Sequence, residues 1–212
     1  MAEGRKSKQS EDRAITLFEQ KIKPYWRQVL WVVVLALLLA VVLYRFRESR
    51  RQLLAIGYSR LDSATSVEDL RSLALDYEGD QIGALAALRQ GAKLMAEERF
   101  EEAASVFRRA TEVYGAPNLV LPAWLGLAYA LESQGDFAEA ARSFQAAAEQ
   151  PGTTANQLAS AWCGVGRNLL AIGGREEARS AFERVLGLGE HGPYTEQARQ
   201  FLQDQAALPT NP

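Results

Sequence analysis

At 212 residues the chain is long enough for one membrane segment and one domain of ordinary size, and its formal charge is only -2. The charge is unevenly spread: residues 1–28 hold seven Lys/Arg against four acids, residues 45–60 five against one, and residues 61–212 twelve against twenty-one. An acidic C-terminal part excludes a nucleic-acid footprint, which needs clustered positive charge to displace counterions, and a single cysteine, Cys163, excludes an intrachain disulfide or a thiolate zinc cluster.

The chain opens with a short basic tail, 1–24, and then reads VLWVVVLALLLAVVLY from Val29 to Tyr44, with no charge. A helix needs about 20 apolar residues to cross ~30 Å of hydrocarbon. The pattern therefore predicts a transmembrane helix over 25–46, with Arg27 and Arg45 snorkelling into the headgroups and Tyr25, Trp26 and Tyr44 at the two interfaces. The run is long for a removable signal and ends without a small-x-small cleavage site, so the anchor is expected to stay attached. Basic residues flank both ends of the span, and charge leaves its orientation open. Ala36 and Ala40 form a small-xxx-small pair through which two spans could associate.

Residues 47–83 read as a linker helix followed by a degenerate repeat, whose second helix starts at Ser66-Val67-Glu68-Asp69 and is closed by Gly79. Three segments then align, starting at Ala87, Trp124 and Trp162. Ala103, Ala140 and Ala178 recur 37 and 38 residues apart, each followed four residues later by Phe107, Phe144 or Phe182. An i,i+4 pair shares one helix face, so each copy presents the same small contact residue and the same large knob. Gly91, Ala128 and Gly166 allow close helix approach, and Trp124 and Trp162 are expected to fill gaps between copies. Gly135 and Gly173 are expected to end the first helices of their pairs in the left-handed conformation. Asp136 and Glu139 read as a capping box, and the glutamate pairs Glu97–Glu98, Glu101–Glu102 and Glu176–Glu177 as first-turn acids. Residues 194–207 have the one-sided apolar spacing of a capping helix, and 208–212 read as a disordered tail.

These copies resemble tetratricopeptide repeats, helical hairpins of pattern W-x2-L-G-x2-Y…A-x3-F…P. The second copy fits best, with Trp124, Leu127, Ala128, Gly135, Ala140, Phe144 and Pro151; the third has Trp162, Gly166, Gly173, Ala178 and Phe182. The first has Ala87 in place of the tryptophan and Glu98 in place of the turn glycine. The resemblance implies an all-α fold: one N-terminal transmembrane helix, then a solenoid of about three repeats over 84–193, preceded by a degenerate repeat and closed by the capping helix. It also places Leu85, Leu88, Met95, Leu125, Tyr129, Arg167 and Leu170, with Ala92 and Cys163, near a peptide-binding groove. Positions where the chaperone-binding subfamily carries a Lys/Asn clamp for a terminal carboxylate hold Leu88, Ala92, Gly126, Ser160 and Gly164 here, so that clamp is missing. The groove is either open or covered by the chain's own flanking helix.

No pairing of nucleophile and base emerges, and no cofactor loop. His191 reads as a loop residue and Cys163 as a packing residue, so neither an enzyme nor a cofactor or metal site is expected. The layout of basic tail, single span, helical linker and acidic array is similar to that of the YfgM-like family of bacterial inner-membrane proteins, ancillary subunits of the Sec translocon. That similarity implies a periplasmic domain whose partners are translocon subunits, periplasmic chaperones or secretory clients, with the lipid bilayer as the other contact and nucleic acid excluded. Two other readings stay open: a scaffold for an envelope or cell-division complex that self-associates into a homo-oligomer, and a cytoplasmic-facing adaptor.

Overall fold

The apolar run and the repeat copies fold as helices throughout. The computed structural model describes residues 25–114, 117–189 and 192–207. Its elements are α1 (Trp26–Ser63), α2 (Val67–Asp76), α3 (Gln81–Ala96), α4 (Phe100–Val113), α5 (Pro117–Gln134), α6 (Phe137–Ala148), α7 (Ala155–Ala171), α8 (Arg175–Gly187) and α9 (Pro193–Ala207), with no strand among the described residues. The basic tail 1–24, His191 and the tail 208–212 lie outside the described residues.

The chain divides into two units, 1–55 and 56–212. In the first, Tyr25 is exposed just before α1, and α1 exposes Trp26, Tyr44 and the large apolar side chains described between Leu30 and Leu43 apart from the half-buried Val34. Its apolar window has a mean hydropathy of 2.2 and none of it is buried against protein, so this helix is long and apolar enough to cross a bilayer. The expected end of the span at 46 falls inside α1, which continues unbroken to Ser63.

The second unit begins with the last turns of α1, where Leu61 packs with Leu70, Leu73, Ile82 and Ala86. Ser66 caps α2: its hydroxyl accepts from the Asp69 amide at 3.0 Å, and the Asp69 carboxylate accepts from the Ser66 amide at 3.3 Å. These hydrogen bonds hold the Asp69 carboxyl below the usual carboxylate range. Three antiparallel hairpins follow, α3–α4, α5–α6 and α7–α8; each packs on the next, and α9 closes the end against α7 and α8.

The turns inside the hairpins share one geometry with different residues. Gly135 and Gly173 turn the chain with φ of 87° and 84°, and Glu98 does so at the matching place with φ of 59°. A side chain there costs about 1–2 kcal/mol. Glu97 and Glu98 therefore lie in the turn and not in the first turn of α4, where Glu101 and Glu102 stand. The capping box expected at Asp136 does not form. Asp136 has φ -80° and ψ 58°, well away from the extended backbone of a capping residue, and Glu139 instead takes a hydrogen bond from Arg108 of α4 at 2.6 Å. The box occurs at Thr154 and Gln157, where ψ is 158°.

The repeated phenylalanines set how closely helices approach. Phe107 of α4 lies between Gly91 of α3 and Gly126 of α5, where a Cβ would come within 2.5 Å of its ring from either side. Phe144 packs against Ala128 of its own hairpin and Gly164 of the next, where a Cβ would come within 2.6 Å. Phe182 meets Gly166, and its outer neighbour is Phe201 of α9, with ring centroids 4.5 Å apart. Ala103, Ala140 and Ala178 are fully buried, and the half-buried Trp124 and Trp162 bridge neighbouring clusters.

Overpacking one of these contacts should be costly: Gly164→Ala is expected to lower unfolding free energy by about 1–3 kcal/mol and Phe144→Ala by about 3–5 kcal/mol in denaturant melts. Glu98→Gly should raise it by up to about 1 kcal/mol, because it relieves the left-handed strain. A melt in which Glu98→Gly destabilises would contradict this account of the turn.

Candidate peptide-binding face

The first helices of the hairpins do not sit at equal spacing. α3 runs against α5, and α7 against α9, while α5 and α7 make little direct backbone contact and meet through side chains. The polar side chains that span this gap are Tyr129 and Glu132, one turn apart on α5, and Ser160 and Arg167, two turns apart on α7. The Tyr129 and Ser160 hydroxyl oxygens are 3.4 Å apart. Arg167 donates through Nε and an Nη to both carboxylate oxygens of Glu132, at 2.6 and 2.8 Å. This pairing raises the Arg167 pKa further above its ordinary value, against the opposing effect of partial burial, so the guanidinium is charged at any working pH.

Phe144 underlies the whole set. The Tyr129 ring meets it edge-on at 4.9 Å, and the Arg167 guanidinium lies 5.9 Å from its centroid. The face is thus an exposed tyrosine and a fixed ion pair on an aromatic floor. It can offer stacking area, a hydroxyl, and carboxylate edges already committed to the arginine.

The predicted groove residues divide into three groups. Tyr129 and Arg167 are brought together, with Leu125 half-buried below them against the clusters that contain Phe144 and Ala147. Leu85, Leu88 and Met95 on α3 are half-buried and pack onto the first hairpin's core. Leu170 packs toward α8 and α9. Cys163 is buried and donates from Sγ to the Tyr194 carbonyl of α9 at 3.2 Å, so it is not on an open groove: the chain's own capping helix covers it. Glu132 was missing from the predicted contact set, and Ser160 was placed there only as the occupant of an absent clamp position. The signal for Glu132 was present, since Glu132 and Arg167 are separated by 35 residues, close to one repeat period, and carry opposite charges.

With this geometry in place, residues 123–156 match the family model described as tetratricopeptide repeat, covering most of α5, all of α6 and the start of α7. That stretch matches one tetratricopeptide repeat, and it sits within a solenoid-like array of helical hairpins. No curated protein matches the chain. Among the described residues there is no cluster of His, Cys, Asp and Glu able to hold a metal ion. The tetratricopeptide fold is a protein-interaction scaffold, so the match supports binding as the role of this chain.

Burial in the array pushes the Cys163 thiol up to about 11, so it is neutral at physiological pH. In the native protein at pH 8, alkylation of Cys163 should be slow and should become fast in denaturant, as read by mass spectrometry. The neutral thiol's contribution to stability is present below the ordinary thiol range and is lost as pH rises through about 11.

Proposed function

We propose that the protein is a membrane-anchored adaptor that holds polypeptide segments on the α5–α7 face. The observation that carries this reading is the gap between α5 and α7, bridged only through side chains, with Tyr129 exposed above Phe144. A tyrosine of this kind supplies large contact area at low entropic cost, and no charge is left unpaired in the seam. Leu125 beside it adds apolar area, which suits clients recognised by shape and apolar content more than by a fixed motif.

The anchor is α1, placed in the bilayer by its apolar window and by Tyr25, Trp26 and Tyr44 at the interfaces. Tethering raises the local concentration of the array at the membrane, so weak contacts suffice. The layout similar to YfgM-like proteins favours a periplasmic array beside the Sec translocon, where chaperones and newly translocated envelope proteins are the partners. Binding, and not turnover, is the activity this reading assigns.

Photocrosslinking in cells from position 129 of the full-length chain should capture envelope proteins or periplasmic chaperones, and Ser160→Ala with Leu125→Ser should reduce that capture several-fold. A C-terminal reporter active only outside the cytoplasm should be active. Capture confined to cytoplasmic proteins, with the reporter silent, would overturn the periplasmic reading; absence of any captured partner would overturn the adaptor.

A further inference from the structure

A second recessed surface lies on the opposite helices of the array. α2 and α4 flank α3 without packing closely on each other, and between them runs a trough with a cavity of about 290 Å³. Its walls are Val67 and Leu75 of α2 and Val106 of α4, and its floor is Ala87, Gln90 and Leu94 of α3. The two wall helices run parallel. Their C-terminal ends are tied by Arg109 donating to Glu78 at 2.7 Å and by the Tyr114 hydroxyl donating to the Ala74 carbonyl at 3.2 Å. The lining from Val67 to Leu75 spans about 12 Å of helix, the length of about four extended residues.

Two groups in this trough keep hydrogen-bonding capacity for a partner. Gln90 is only 7% exposed, lines the cavity, and makes no hydrogen bond among the described residues. Its carboxamide atoms still reach solvent at the cavity, so a ligand that hydrogen-bonds them replaces water contacts with its own. A carboxamide offers one acceptor and two donors, the complement of a peptide group's N–H and C=O. The second group is Arg71, on the rim. The other arginines of the trough are engaged, Arg99 by Glu97 and Glu102 and Arg109 by Glu78; Arg71 interacts with Glu102 only at longer range and has no carboxylate within ion-pair distance among the described residues. Glu68, one turn before it and also without an ion-pair partner, sets a limit on how much negative charge the rim tolerates.

We infer that the α2–α4 trough is a second recognition site, for an extended polypeptide segment that carries one acidic side chain beside aliphatic ones. Gln90 pairs with a main-chain amide of the segment, Arg71 takes its carboxylate, and the aliphatic side chains seat between Val67, Leu94 and Val106. Glu68 disfavours a run of acids. A site of this kind would let the array hold a stable partner on its second helices while the α5–α7 face samples other chains.

The probe is a short capped fluorescent peptide with one aspartate flanked by valines, titrated by anisotropy against the full-length protein in detergent micelles. Saturable binding is expected, weakened about tenfold by Gln90→Leu and by Arg71→Gln, and similarly by replacing the central amide of the peptide with an ester. Gln90→Leu fills the same space with an apolar side chain, and Arg71 is on the surface, so both variants should keep the thermal transition of the parent. Tyr129→Ala should leave this binding unchanged, which separates the site from the α5–α7 face. The inference is overturned if the peptide does not bind saturably, if neither trough variant weakens it, or if Tyr129→Ala abolishes it.

Discussion

The three hairpins of the second unit depend on one kind of contact: an aromatic ring from the second helix fitted against glycine or alanine on first helices. Phe107 between Gly91 and Gly126 shows it most fully, because a methyl group on either glycine would overlap the ring. A buried phenylalanine contributes about 1.5–3 kcal/mol, but its larger effect here is geometric. The ring fixes the distance within a hairpin and between that hairpin and the next, so the same contact that stabilises a repeat also sets the pitch of the array. Where the series ends, Phe201 of α9 takes over the outer contact with Phe182, and the capping helix closes the apolar edge.

The two proposed recognition surfaces follow from how that spacing is distributed. α3 lies against α5 and α7 against α9, and those seams bury Leu88 and Leu170 in part and Cys163 completely. The seam between α5 and α7 has no such backbone closure and is held by Tyr129 with Ser160 and by Glu132 with Arg167. Because Tyr129 and Arg167 both rest on Phe144, the residues that would touch a partner are positioned by the residue that sets the pitch. Stability and the proposed recognition are therefore coupled through one side chain.

On the opposite surface the second helices are tied by charge. Arg108 to Glu139 links the first and second hairpins, and Arg109 to Glu78 links the first hairpin to the end of α2. These pairs are partly exposed and individually worth little, of order 0–1 kcal/mol. Their consequence is spatial, since they hold α2 and α4 together at one end and leave room over the floor of α3. That the floor contains a glutamine, and not another leucine, distinguishes this trough from a packing gap.

Sequence periodicity was enough to determine the helical hairpins, the alanine and phenylalanine register, the left-handed turns at Gly135 and Gly173, and the long apolar helix, because each follows from contacts within a few residues or from a repeated pattern. It misplaced the cap at Asp136, since only the backbone angle there and the proximity of Arg108 decide where Glu139 points. It also gave no means of knowing that Glu98 adopts a glycine conformation, which the hairpin imposes on whichever residue occupies the turn. Groove membership was the least legible. Leu85, Leu88, Tyr129 and Leu170 share a similar place in their helices, yet only Tyr129 is exposed, because exposure depends on how far the neighbouring helix stands away. Local chemistry along the chain determined what the pieces are; the spacing between pieces, summed over non-neighbouring contacts, decided which of their side chains are left facing a partner.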